Sequence, residues 1–351
     1  MRALNTPFVV DVAIAGGGII GLSLGLELRQ RGFSVAVIER HQAMSSASWA
    51  AGGMLAVYDP QNPPKLLPLS VRSWALYPAY LDRIEGLSGL RVPLRTRRTL
   101  QHLEPERESG GIATAVEIAE FAPGLDATGR SFKWLEEGSL DPNDLREALP
   151  AAFRAAEGTL LEGTAVLGVE STAHGVLVET QRERISAGMF VNCCGAWADG
   201  PLLGGLPVVP VKGQMANLRC QPERLRCVVR VPGIYLIPRG DGRVTIGATM
   251  EHAGFDETVQ EPSISQLIEA ALRLLPEVTT PPQMESWAGL RPGTPDGLPI
   301  LGAAETAHCW HATGHYRDGI LLAPVTARVM AQAMLGESLD VPLDTFTPAR
   351  F

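Results

Sequence analysis

The chain has 351 residues and a formal net charge of −8, from 30 basic and 38 acidic side chains, which gives no electrostatic reason to bind nucleic acid or an anionic membrane. That length carries one large or two medium domains with well-buried cores, and leaves small molecules as the expected partners. Five cysteines without a CxxC pair and seven histidines without ligand spacing indicate neither a metal site nor a disulfide framework, as in a cytoplasmic protein. The apolar stretch Val12 to Leu26 is flanked by Asp11 and Glu27 and interrupted by glycines, so it does not read as a signal-peptide core, and no membrane insertion is expected.

The first element in chain order is an apolar run, Phe8 to Ala15, followed by Gly16-Gly-Gly18-Ile-Ile-Gly21. Helical periodicity runs from Leu22 to Arg31 and stops at Gly32; Val35 to Ile38 then reads as a buried parallel strand closing in Glu39. Each glycine has a task in a nucleotide-binding β-α-β unit. Gly16 permits the tight turn, Gly18 lets the backbone approach a pyrophosphate, and Gly21 lets helix and strand pack closely. The helix N-terminus offers free N–H groups and a positive dipole end to the phosphates. Glu39, 18 residues beyond Gly21, accepts hydrogen bonds from a ribose and repels the extra phosphate of NADP. The unit by itself leaves FAD and NAD open.

Ser45 to Met54 is poor in charge and rich in Ser, Gly and Ala, which suits a backbone pressed against a flat ligand. Leu67 to Leu87 has helical periodicity with Trp74, Tyr77 and Leu81 on one, core-facing side. Val92 to Phe121 reads as short alternating strands and charged loops. Asp141 caps a helix that starts at Pro142 and runs to about Glu157. Thr159 to Glu170 and Gly175 to Thr180 read as strands, and Met189 to Ala198 as a buried strand returning to the first sheet. A second alternating run covers Val208 to Leu218, Cys227 to Val231, Ile234 to Arg239 and Arg243 to Met250, the last pair joined at Gly240-Asp-Gly242. Ile264 to Leu275 is an amphipathic helix, and the tail holds a strand, Cys309 to Ala312, a glycine-bracketed turn, and a helix from Ile320 to about Leu335. The chain thus alternates twice between nucleotide-type and antiparallel segments, which predicts two interleaved domains.

Two further motifs carry chemistry. In Trp287-Ala-Gly-Leu-Arg291-Pro-Gly-Thr294 a lone Arg sits where Pro and Gly fix the backbone; its planar fork suits either a ligand carboxylate or a structural ion pair. Gly314-His-Tyr-Arg317-Asp-Gly319-Ile-Leu-Leu-Ala-Pro324 feeds a helix whose N-terminus can stabilise negative charge on a reduced ring, unless it is a plain strand-to-helix loop. No GxSxG elbow or HExxH pair points to hydrolysis or metal chemistry.

Together with Ala50-Ala-Gly-Gly-Met-Leu55, Val211-Lys-Gly213 and Gly247-Ala-Thr-Met250, these motifs resemble, in order and over nearly the whole chain, the FAD-dependent D-amino-acid oxidase family, and within it the glycine oxidases of thiamine biosynthesis. The resemblance implies noncovalent FAD and an α/β fold in which a Rossmann-like FAD-binding domain (1–85, 138–207 and 292–351) is interleaved with an antiparallel-sheet α+β substrate domain (86–137 and 208–291). It implies that Gly16, Gly18, Ile19, Ile20, Gly21, Glu39 and Arg40 hold the pyrophosphate and ribose, and that Ala47, Ser48, Gly52, Gly53 and Met54 lie along the flavin. Val166 matches the backbone contact on the adenine side, and His315, Tyr316, Arg317, Asp318, Gly319, Ile320 and Leu321 match the loop over the flavin's pyrimidine edge. Arg291 matches the carboxylate-binding arginine, Arg317 a second substrate-side residue and Tyr235 a substrate-binding tyrosine; Met54 and Met250 shape the side-chain space. The family's histidine two residues before that tyrosine is here Gly233, a departure expected either to widen the pocket or to change which amine fits, and so to bear on whether glycine is the preferred substrate.

The activity implied is oxidation of glycine, sarcosine or small D-amino acids, with reduction of O2 to H2O2, by a cytoplasmic homo-oligomer. The alternatives are a dehydrogenase that passes electrons to a quinone or protein, and a non-catalytic nucleotide-binding module, against which Arg291 and Tyr235 count.

Overall fold

The computed structural model describes residues 8–103, 111–199 and 205–351, and its centre is the predicted parallel sheet. Phe8–Ala15 pairs in parallel with Val35–Ile38 on one side and with Arg184–Asn192 on the other. Both its faces are buried, Val12 and Ile14 in one core cluster and Val10, Ala13 and Ala15 in another, which is why its sequence is a near-continuous apolar run and not an alternation. Thr159–Leu161 extends the sheet beyond Val35–Ile38, and Cys309–Thr313 and Ile300–Ala303 extend it at the other end; Gly175–Thr180 and Val166–Thr172 complete eight strands.

The second sheet has seven strands in the order Ser286–Gly293, Val209–Arg219, Arg243–Gly247, Ile234–Pro238, Val228–Val231, Thr99–Leu103 and Ser131–Leu135. All its pairings are antiparallel except that of Val228–Val231 with Thr99–Leu103. The chain enters this sheet, returns to the first for four strands, and enters it again, so the two sheets interleave as the alternation predicts.

Each sheet carries its own core. Helix Ile19–Gln30 packs on helix Gly319–Met334, and with Leu67–Ser88 and Pro142–Ala155 they cover one face of the parallel sheet around Ile14, Leu22, Phe153 and Met330. Helix Glu261–Leu274 lays Ile264, Leu267, Ala271 and Leu274 on the second sheet, against Leu218, Leu236 and Ile246. Asp141 does cap the helix at Pro142, accepting from the Asn143 N–H at 3.1 Å.

Helix Gly319–Met334 contains Pro324, whose missing N–H leaves the Ile320 carbonyl without its intrahelical partner. The Tyr77 hydroxyl donates to that carbonyl, and the Ser73 hydroxyl to the carbonyl of Leu321. Tyr77, expected as core packing, is therefore also the buried donor that lets a proline sit inside this helix.

The stretch read as strands and loops, 92–121, is corrected in its second half. Thr99–Leu103 is a strand, but Ala115–Phe121 is a helix; residues 104–110 lie outside the described residues. The Thr114 side chain accepts from the Glu117 N–H while the Glu117 carboxylate takes the Thr114 N–H, a capping box that stabilises so short a helix. The strand read from Thr159 to Glu170 is broken into Thr159–Leu161 and Val166–Thr172 by a turn at Gly163, whose φ of +60° favours glycine.

Candidate active site

The cavity between the two sheets has a volume of about 1130 Å³, more than the roughly 300–1,000 Å³ of an ordinary small-ligand pocket. Its first end is built by the glycine turn. Gly16 has φ +105°, and a Cβ there would come within 2.3 Å of the Cys193 carbonyl oxygen. At Gly21 a Cβ would sit 2.0 Å from the Gly16 oxygen, so helix Ile19–Gln30 starts against the sheet only without one. This helix also starts three residues earlier than its apolar periodicity indicated, with Gly18 at its cap and no side-chain cap of its own. Ser48, from the small-residue stretch, accepts the Ile19 N–H at 2.9 Å.

Glu39 is fixed at the strand tip, its carboxylate accepting from the Gly17 N–H at 2.8 Å and the His41 N–H at 2.9 Å. Further lone pairs remain for hydroxyl donors, as a ribose needs. A side-chain-free turn, a helix N-terminus and a fixed carboxylate in one elongated cavity fit the phosphates and adenosine ribose of a dinucleotide.

Most of the expected cofactor residues meet in this cavity. Gly16, Gly18, Ile19, Ile20, Glu39, Arg40 and Val166 line its first end, and Ala47, Ser48, Gly52, Gly53 and Met54 one wall. His315, Tyr316, Arg317, Asp318, Gly319 and Ile320 line it at the start of helix Gly319–Met334. Gly21 and Leu321 do not line it: Gly21 acts by close packing behind the turn, and Leu321 is fully buried in the core. The His315 ring turns inward to Thr326 at 3.0 Å, and burial pushes its pKa down to about 3, so it is a neutral structural group.

The second end holds Arg291, Tyr235 and Met250. The Arg291 guanidinium lies over Gly213, where a Cβ would come within 2.3 Å of it, and donates to the Thr249 carbonyl at 3.2 Å. Among the described residues no carboxylate lies within 4.0 Å of it, which removes the structural ion pair as its explanation. Burial pushes the Tyr235 phenol up, while Arg291 and Arg317 pull it back. Met250 is 55% exposed, at the rim of the cavity, and accepts a hydrogen bond from the Tyr316 hydroxyl.

Arg317 lines the cavity too, but its guanidinium is engaged, 2.8 Å from Asp59 and 2.7 Å from the Gln61 oxygen. Asp59 and Gln61 were missed in the sequence because Asp59-Pro-Gln-Asn-Pro-Pro64 reads as an ordinary turn. Also missed were Arg230, held 2.8 Å from Glu137, and Trp197, which lies not in the strand read from Met189 to Ala198 but in a short helical turn after that strand ends at Asn192. Arg230 faces Tyr235 directly in the antiparallel register, and that placement was the signal available.

Fold and site together define a dinucleotide-dependent oxidoreductase with a small-molecule pocket against its cofactor cavity. A family model described as FAD dependent oxidoreductase matches residues 11–333; the chain belongs to this family, and FAD is its cofactor. The glycine oxidase of Pseudomonas aeruginosa is 34% identical over 364 aligned residues, covering 96% of this chain and 98% of that protein. The bifunctional protein ThiO/ThiG of Trichormus variabilis is 35% identical over 97% of this chain, which spans only 55% of that relative's length. The crystal structure of glycine oxidase from Geobacillus kaustophilus matches with a TM-score of 0.89 and 32% identity, over 98% of this chain and 99% of that one.

Proposed function

We propose that this protein oxidises a small amino acid, glycine, sarcosine or a D-amino acid, to the imino acid, which water converts to the oxo acid. Arg291 carries this reading: a cationic fork with no carboxylate partner among the described residues, fixed over Gly213 at the cavity end opposite the glycine turn. Arg291 and Tyr235 hold the substrate carboxylate and so aim the α-C–H. Bound FAD would supply the acceptor for the hydride, whose two electrons and one proton, with a second proton from solvent, reduce O2 to H2O2. The amine loses its proton on leaving water, so no dedicated base is needed. Met54 and Met250 bound the side-chain space, and Arg317 acts on the substrate side while tied to Asp59.

Gly233 sits in a hairpin turn with φ +81° and open space where its side chain would point, which favours substrates bulkier than glycine, such as secondary amines. Its likeness to glycine oxidases and to the bifunctional ThiO/ThiG protein supports a role in thiamine biosynthesis, and we read it as a cytoplasmic homo-oligomer, which light scattering on the eluted peak checks. The deciding assay is peroxide release from glycine, sarcosine, D-alanine and D-proline, beside anaerobic dye reduction. Dye reduction without peroxide in air makes the protein a dehydrogenase instead. Arg291→Leu should raise KM for every accepted amino acid, a loss of about 2–4 kcal/mol. An unchanged KM removes the carboxylate role.

A further inference from the structure

Residues 248–260 join strand Arg243–Gly247 to helix Glu261–Leu274 and pass along the cavity. Their root is firmly tied. The Lys212 ammonium, 1% exposed, lies 2.7 Å from Asp256, and Lys212 and Glu251 exchange two backbone hydrogen bonds. A buried ammonium is tolerated only when paired, so Asp256 and the backbone carrying it are held in place. Gln214 adds a bond to the Glu251 carboxylate at 2.8 Å and takes the Gln260 N–H at 2.6 Å.

The tip does something different. Phe255 is 54% exposed, yet its ring stacks on Trp197 with centroids 5.4 Å apart and planes inclined by 24°. The Arg40 guanidinium lies 3.9 Å from the centre of the same Trp197 ring. Neither aromatic belongs to a hydrophobic core, and all three residues line the cavity. They come from three separate segments: Arg40 follows the ribose-end carboxylate Glu39, Trp197 follows strand Arg184–Asn192, and Phe255 belongs to the loop of the second sheet.

We infer that residues 248–260 form a strap that retains the cofactor, with Lys212–Asp256 as its anchor and the Arg40–Trp197–Phe255 stack as its latch across the Glu39 end of the cavity. The same strap touches the opposite end, where the Thr249 carbonyl holds Arg291 and Met250 meets Tyr316. It therefore ties cofactor retention to the substrate arginine through one short segment.

The test strips the flavin from wild type, Phe255→Ala, Phe255→Tyr and Asp256→Asn and titrates FAD back, reading the dissociation constant from flavin fluorescence, with melting temperatures of apo and holo forms. Phe255→Ala and Asp256→Asn should weaken FAD at least fivefold, and Phe255→Tyr, which keeps the ring, less than twofold. Because Phe255 stands outside the cores, its Ala variant should narrow the gap between holo and apo melting temperatures without lowering the apo value. A change under fivefold for Phe255→Ala overturns the strap, as does an apo form destabilised as much as the holo form, which makes the stack merely structural.

Discussion

Asp318 shows how one residue is used twice at the second glycine turn. Its backbone starts helix Gly319–Met334, and its carboxylate accepts from the Asn62 amide at 3.0 Å instead of capping that helix. Burial pushes its pKa from 3.8 up to about 6, with Asn62 and Arg317 pulling against the rise and Asp59 adding to it. A carboxyl raised in this way holds its proton longer in the native state than in the unfolded chain. Its contribution to stability is thus fully present below about pH 4, shrinks as the pH climbs towards 6, and is constant above that. Asp318→Asn keeps an acceptor for Asn62 and removes the titration. At saturating FAD, the urea midpoint of wild type relative to this variant should fall between pH 4 and 6.5 and then level off, by up to about 3 kcal/mol overall. A pH-independent difference would mean that Asp318 titrates normally. The sequence placed Asp318 in the turn, but its raised pKa depends on Asn62 and Asp59, which are more than 250 residues away along the chain.

The elements divide by how local their causes are. The glycine turn, the Asp141 cap and the amphipathic helix Glu261–Leu274 were legible because spacing, cap and apolar stripe all lie within one segment. Ala115–Phe121 was not, since two helical turns present too little periodicity and the Thr114–Glu117 capping box is its one local sign. Pro324 is a different case: the helix read from Ile320 to about Leu335 does run through it, but what allows this is not local, because another helix, Leu67–Ser88, delivers the Tyr77 hydroxyl to the freed carbonyl. Tyr77→Phe should accordingly cost about 1–3 kcal/mol in chemical denaturation, the penalty of an orphaned buried carbonyl. Since the ring and its packing survive, a loss under about 0.5 kcal/mol would show that this hydroxyl is not what accommodates Pro324.

For the whole molecule, the alternation of helix-type and strand-type periodicity announced the interleaving, whereas the tie of Arg317 to Asp59 and the strap on Trp197 arise only once segments distant in the chain meet around the cavity. The cavity lies between two separate cores, and glycines with no room for a Cβ line it. Its walls hold polar groups, the Glu39 carboxylate and the first turn of helix Ile19–Gln30 among them, whose remaining hydrogen-bonding capacity suits the hydroxyls and phosphates of FAD. FAD should then act as a structural member that binds the native state and not the unfolded chain. In that case free FAD at a hundred times its dissociation constant adds about 2.7 kcal/mol, and the melting temperature climbs with the logarithm of FAD concentration. Noncovalent attachment requires the same dependence, because a tethered flavin cannot respond to free FAD. It is also favoured by Cys309, which is 2% exposed with burial pushing its thiol up to about 11, leaving no reactive thiolate there. Acid precipitation should therefore leave the yellow colour in the supernatant, and the stripped protein should melt lower and recover on adding FAD. Flavin that stays with the precipitate, or a melting temperature indifferent to FAD, would show attachment through the chain itself.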